Sequence, residues 1–255
     1  TSDTCELWRI IGVFNNVEKE DGTKENLIKI IREDNLGYYS WDYKSDGSHV
    51  NDWNTSSLQQ LLNNGAYYEA TTGIYYKPNS ESINIDFKKD GLQNEATRSA
   101  IENIVWQLGK IENYNTSTAG IYYNLERNIN GSNQNYMTWN GKIALMYSSD
   151  YGFATSGGKI KSRSDCLNKE LYNWGNSEYT ECFQNDFLHI PTSSQWSINA
   201  YALNDVFAYA IDGDGCVGRD GVQTLHSVRP TLFLKSNISI GIGDGSSTNP
   251  YQLSL

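Results

Sequence analysis

Leu7 to Phe14 reads Leu-Trp-Arg-Ile-Ile-Gly-Val-Phe, and Leu27 to Arg32 reads Leu-Ile-Lys-Ile-Ile-Arg. Both runs are short, apolar and rich in β-branched residues, and Asn, Asp and Gly lie between them. That pattern predicts a β-strand and its partner joined by a polar turn. Outward from this pair, a polar and aromatic loop covers Asn35 to Trp53. Asn54-Thr55-Ser56-Ser57 then offers several N-cap side chains before Leu58, Leu61 and Leu62, which predicts a helix stopped near Asn63-Asn64-Gly65. Leu92 to Leu108 places Ala96, Ala100, Ile101, Ile104, Val105 and Leu108 on one helical stripe closed by Gly109, the clearest helix expectation in the chain. Ile143 to Tyr147 reads as a buried strand, and Cys166 to Trp174 as the place for a short helix.

From Gln195 onward the pattern turns to strands. Val206 to Ile211 alternates two faces, Asp212 to Gly215 supplies a Gly-Asp reversal, and Val228 to Leu234 gives a last strong strand. No fixed-period repeat and no linker interrupts residues 1–255, so one domain of α+β class is expected.

Hydrophobic residues are only 38% of the chain, but seven Trp, seven Phe and eighteen Tyr offset this. Each buried aromatic side chain removes roughly 150–250 Å² from water, so a few of them supply a core that the aliphatic residues alone would not. A net charge of −10 and the lack of a basic patch exclude nucleic acid as a partner. Lys159, Lys161 and Arg163, the densest basic group, sit among Ser and Gly and read as a solvated loop. The longest apolar runs, such as Ile143 to Met146, fall far short of the roughly 20 residues of a membrane span, so any anchor is expected outside these residues.

The cysteines form an even set, Cys5, Cys166, Cys182 and Cys216, without a Cys-x-x-Cys pair. Cys166 and Cys182 bracket one short segment and are the expected disulfide, which leaves Cys5 with Cys216 as the second pair. Disulfides imply an exported, extracellular protein. A surface of Asn, Ser, Thr and Gly with rigid Tyr side chains suits adaptable recognition.

Three groups of motifs carry a family resemblance. The first comprises Leu7-Trp8-Arg9-Ile10-Ile11-Gly12, Ile28-Lys29-Ile30-Ile31-Arg32 and Trp53-Asn54-Thr55-Ser56-Ser57-Leu58. The second comprises Gly141-Lys142-Ile143-Ala144-Leu145-Met146-Tyr147 with Ser149-Asp150-Tyr151-Gly152. The third comprises Val228-Arg229-Pro230, Leu234-Lys235-Ser236, Gly243-Asp244-Gly245-Ser246-Ser247 and Asn249-Pro250-Tyr251. Together they resemble an uncharacterised domain of surface proteins of gut Firmicutes, often attached to a type IV pilin-like N-terminal helix. The resemblance spans nearly the whole chain and implies a bacterial cell-surface protein. It also implies a C-type lectin-like fold, in which the N- and C-terminal strands pair, two helices pack on them, and a long irregular region carries the ligand site.

Two motifs raise the question of calcium as a cofactor. Lys77-Pro78-Asn79 is the nearest text to the Glu-Pro-Asn type tripeptide that lectins of this fold use, but its Lys is a cation where an acceptor is needed. Asp212-Gly213-Asp214-Gly215 begins like a calcium loop, yet Cys216 takes the next ligand position, so turn chemistry is the plainer reading of Asp212 and Asp214. Catalytic constellations are absent: His49, His189 and His226 lie in no nucleophile-elbow context, and only Cys216 falls where an oxidase-type enzyme of this fold needs a cysteine pair. Glu178 and Glu181 read as solvated positions. The sequons at Asn54, Asn115, Asn130 and Asn237 read as chance in an Asn- and Ser-rich chain.

The expected ligand face is the aromatic and polar stretch from Trp196 to His226. It comprises Trp196, Asn199, Tyr201, Asn204, Asp205, Phe207, Tyr209, Arg219, Asp220 and His226. The function that follows is non-catalytic: a displayed binding or adhesion domain, the head of a pilin-like subunit, whose ligand is a protein or glycan on another cell. A structural subunit forming the body of a filament, with other pilin-like subunits as partners, is the alternative. An oxidase-type enzyme is the distant one.

Overall fold

The computed structural model describes residues 6–78 and 82–254. Its first layer grows from the stretch quoted above. Strand β1 (Trp8–Glu18) pairs antiparallel with β2 (Lys24–Arg32), with Trp8 opposite Arg32 and Phe14 opposite Leu27. Both strands run past the predicted limits, because the polar residues after Phe14 continue the ladder on an exposed hairpin. A short β3 (Tyr38–Tyr39) follows, and α1 (Ser57–Asn63) begins where the N-cap residues place it. The Ser56 hydroxyl accepts from Gln59 N at 3.1 Å, and the chain leaves the helix through Gly65 at φ +93°.

β4 (Thr72–Tyr76) and β5 (Ser82–Asp86) form a hairpin of their own. The helix expected over Leu92–Leu108 is not formed as such. Only α2 (Glu95–Ala100) is helical, none of its residues is buried, and Ile101 is already extended with ψ 129°. β6 (Ile104–Gln107) then pairs with β7 (Thr138–Gly141). Ile104 and Trp106 are buried while Val105 and Gln107 are only half-buried. The apolar residues of this segment therefore fit a period of two once strand partners exist, and tertiary pairing overrode the helical stripe.

α3 (Ala119–Glu126) precedes β8 (Ile143–Ala144) and α4 (Ser148–Ala154). The strand expected at Ile143–Tyr147 thus shortens to its first residues, although Met146 O still accepts from Ile198 N at 2.9 Å. α5 (Arg163–Leu167) and α6 (Thr180–Gln184) flank the 3-10 turn Leu171–Gly175. The Cys166–Cys182 disulfide joins them at a Cα separation of 5.5 Å, as the spacing suggested. The other expected pair involves Cys5, which lies outside the described residues. Cys216 forms no disulfide with a described residue.

The late strands are β9 (Gln195–Ala200), β10 (Phe207–Ile211), β11 (Val217–Gly221), β12 (His226–Ser227) and β13 (Thr231–Leu234). The last two, β14 (Ser239–Ile240) and β15 (Leu253–Ser254), close a small exposed hairpin on each other. One sheet has the order β1-β2-β13-β8 and the other β11-β10-β9-β12-β3. β13 joins β2 antiparallel, Thr231 opposite Ile31 and Leu234 opposite Ile28, so a late strand completes the sheet that the first strands begin. The fold is α+β, dominated by sheet. Its aromatic residues do supply the core: Trp41, Trp106, Trp174, Trp196, Tyr67, Tyr122, Tyr151 and Tyr209 are all fully buried.

The disulfide closes a loop with a sequence separation of 16. Replacing Cys166 and Cys182 by Ala should therefore lower unfolding stability by about 3 kcal/mol, read from urea denaturation of the two proteins.

Candidate functional site

Strand alternation divides the expected ligand face. Tyr209 stands opposite Arg219 and Ala208 opposite Asp220, so these pairs project to opposite sides of the sheet. On Arg219's side, four of the expected residues come together. The exposed guanidinium lies 4.3 Å from the Tyr201 ring and 5.5 Å from the Phe207 ring. Tyr209 lies beneath, fully buried, with its hydroxyl donating to Ile111 O at 3.1 Å. Tyr201 is itself only 8% exposed, which makes it the floor of the cluster and not its surface.

Two rings that sequence reading passed over complete the patch. Arg219 is 5.1 Å from the Tyr114 ring, which meets Tyr172 edge-on at 5.2 Å, and Tyr172 is 42% exposed. Both sit in 3-10 turns far from the late strands in sequence. Tyr114, an aromatic ring among Asn and Thr, offered a signal, but no spacing rule links either ring to residue 219. Among the described residues, Arg219 is held by rings alone, without an ion pair or hydrogen bond. Its N–H donors face solvent.

The remaining expected residues serve the fold. Trp196 is buried, stacks edge-on against His226 at 4.3 Å, and donates from Nε1 to Tyr39 O at 2.8 Å. Asn199 is buried and its Oδ1 accepts from Ser148 N at 2.7 Å, which satisfies the start of α4. Asn204 and Asp205 are exposed, but their backbone carbonyls accept from Asn51 at 3.0 and 2.5 Å, which fixes the β9–β10 turn. His226 Nε2 is 3.0 Å from Asp220 Oδ2 on the far side of the sheet from Arg219. A ligand resting on Arg219 therefore does not reach Trp196, Asn199, Asp220 or His226.

Asp212, Asp214 and Cys216 bring one ligand atom each within 4.8 Å of one another. Their bonding is that of a turn. Asp212 N donates to Cys216 O at 2.8 Å, Asp214 Oδ1 accepts from Cys216 N at 3.1 Å, and Gly215 has φ +87°. A Cβ at Gly215 would lie 2.2 Å from the Phe183 ring, so glycine is required there. Burial, with the two carboxylates adding to it, pushes the Cys216 thiol up to about 12. A protonated thiol beside two carboxylates is a poor match to the six to eight oxygens that calcium takes. Of the tripeptide at Lys77-Pro78-Asn79, Asn79 lies outside the described residues.

The most unusual chemistry lies outside the expected ligand face. Lys29 is fully buried, and its Nζ contacts Asp150 Oδ2, which also accepts from Tyr147 N at 2.9 Å. Arg127 donates to Glu126 Oε2 at 2.8 Å and to Ser149 Oγ at 3.2 Å, and its Nη2 lies 3.9 Å from Asp150 Oδ1. Glu126, also fully buried, accepts from Ser149 through both backbone N and hydroxyl. Two cations and two anions thus balance inside the protein, and removing any one would strand an opposite charge. Burial pulls the Lys29 ammonium down to about 8 against the attraction of Asp150, and burial raises Glu126. A hollow of about 230 Å³ adjoins the group, with Phe14, Tyr123, Phe153 and Phe187 as walls and Ser149 and Asp150 as floor. The sequence signal was Lys29 itself: in Leu27-Ile28-Lys29-Ile30-Ile31 it occupies the same face as Leu27 and Ile31.

Comparison of the chain with family models, with curated proteins and with solved structures finds no match.

Two outcomes follow from this geometry. Lys29→Met should cost about 3–5 kcal/mol in chemical denaturation, the cost of leaving Asp150 buried without its partner. His226 is held below the ordinary histidine value of 6.5 by burial, with Asp220 and Asp212 opposing. Its folded value lies below its unfolded value, so its contribution is complete above about pH 6.5 and declines as pH falls further. The stability advantage of the native protein over His226→Gln should accordingly shrink between about pH 7.5 and about pH 5 in paired thermal melts.

Proposed function

We propose that this chain is a ligand-binding or adhesion domain displayed on a bacterial cell surface, the head of a pilin-like subunit, without catalytic activity. The observation that carries the reading is the exposed Arg219 guanidinium clasped by the Tyr114, Tyr201 and Phe207 rings with Tyr172 beside it. Rigid rings give contact area at small entropic cost, and a pre-positioned guanidinium offers donors to a glycan hydroxyl, carboxylate or peptide carbonyl. This is the composition of a binding hot spot.

Other features support an exported protein of lectin-like layout. A disulfide suits an oxidising compartment. No helix among the described residues is long and apolar enough to cross a membrane. The pairing of β2 with β13 agrees with a C-type lectin-like arrangement in which early and late strands meet. The structural reading, a filament body built by subunit packing, is favoured by one feature: β1 is an edge strand that leaves Val13 65% and Ile10 44% exposed.

A glycan and host-protein array would identify the ligand. Against the ligand so found, Arg219→Ala and Tyr172→Ala should each weaken binding by about tenfold or more, while unfolding stability changes by less than about 0.5 kcal/mol. Tyr201→Ala should instead destabilise by about 3 kcal/mol or more, as its burial requires. Full-affinity binding by both surface variants would remove this patch as the site.

A further inference from the structure

We propose that Lys29 Nζ and Asp150 Cγ condense into an intramolecular amide, a covalent cross-link between β2 and α4 formed with loss of one water. The two side chains come from positions 121 residues apart, meet directly, and are 0% and 2% exposed. Four aromatic rings surround the nitrogen: Tyr147 at 4.2 Å, Trp106 at 5.3 Å, and Phe14 and Phe233 each at 5.5 Å. Such walls exclude bulk water, which would otherwise hydrate the charges, compete as nucleophile and reverse the condensation. They also hold the pair in one orientation, so two ordinarily unreactive groups face each other at high effective concentration.

The atoms present account for each proton. Transfer of one ammonium proton to Asp150 Oδ2 gives an amine and a carboxylic acid, a transfer made less costly by the burial that lowers Lys29. The amine lone pair then attacks Cγ and forms the C–N bond. Negative charge develops on Oδ1, which faces the Arg127 guanidinium at 3.9 Å. Glu126, buried and accepting from Ser149, pairs with the same guanidinium at 2.8 Å and is the second carboxyl of the cluster. It accepts the second nitrogen proton and returns it to the Oδ2 hydroxyl as the Cγ–Oδ2 bond breaks. Water leaves, no group is oxidised or reduced, and Glu126 ends as it began. The hollow bounded by Phe14, Tyr123, Phe153 and Phe187 meets the group at Asp150 and Ser149 and gives that water a way out.

Intact-mass measurement of the native protein, disulfide reduced, tests the cross-link without a variant. The expected mass is that of the sequence less one water. Proteolysis should yield a branched peptide whose fragmentation joins residues 29 and 150. Lys29→Ala and Asp150→Ala should each show their full calculated mass. Native protein at full sequence mass would overturn the proposal, and so would a water loss mapped to another residue, such as cyclisation at an Asp-Gly step. Glu126→Gln, confirmed as folded by its circular dichroism, should retain the water. Condensation in that variant would overturn the proton-carrying role assigned to Glu126.

Discussion

A lysine cannot be placed in a protein interior without an answer to its charge, and the way this chain answers for Lys29 governs much of its architecture. The side chain leaves β2 on the inward face and meets Asp150 at the start of α4. Asp150 in turn accepts from Tyr147 N and faces Arg127, which is tied to Glu126 at the end of α3. Sheet and helices are therefore registered by a short chain of alternating charges. A hydrophobic interface would tolerate small slips of α4 along the sheet. This one would not, because a slip separates buried charges at a cost of several kcal/mol. The aromatic rings around Nζ repay part of the lost hydration and pack the remaining space.

With that layer held, the second sheet is free to present a surface. Its β10–β11 hairpin turns one face inward, where Tyr209 packs, and lifts Arg219 at the rim among the rings of Tyr114, Tyr201 and Phe207. The opposite face carries Asp220 and His226 against Trp196, an arrangement of structural contacts. A fixed alternation of side chains thus separates residues that are neighbours in sequence, and brings in Tyr114 and Tyr172 from distant turns. The Cys166–Cys182 disulfide braces the segment on which Tyr172 stands.

Much of the fold was legible in the residues. The paired strands at Leu7–Phe14 and Leu27–Arg32, the helix capped by Ser56, the Asp212–Gly215 reversal and the Cys166–Cys182 pair all formed where local chemistry placed them. The long helix over Leu92–Leu108 did not, because Ile104, Trp106 and Leu108 also fit a strand alternation that competes with the helical stripe. Pairing with β7 and the Ile101–Leu234 bridge decided between them. Of the candidate ligand face, Tyr201, Phe207, Tyr209 and Arg219 were brought together, although burial of Tyr201 and Tyr209 leaves the exposed role to Arg219, with Phe207 partly exposed.

By itself, the sequence determined what short-range chemistry determines: the α+β class, caps, turns, a disulfide closing a short loop, and an aromatic supply large enough for a core. The tertiary structure alone decided which charges are buried together and which rings meet. Lys29, Glu126, Arg127 and Asp150 look like ordinary surface residues in their own neighbourhoods, and only Lys29 interrupts an apolar run. Their meaning depends on contacts across some hundred residues of chain, and no local period records such contacts. Helix and strand preferences arise from neighbouring residues, whereas a buried charge cluster and a surface patch exist only once distant segments close on one another.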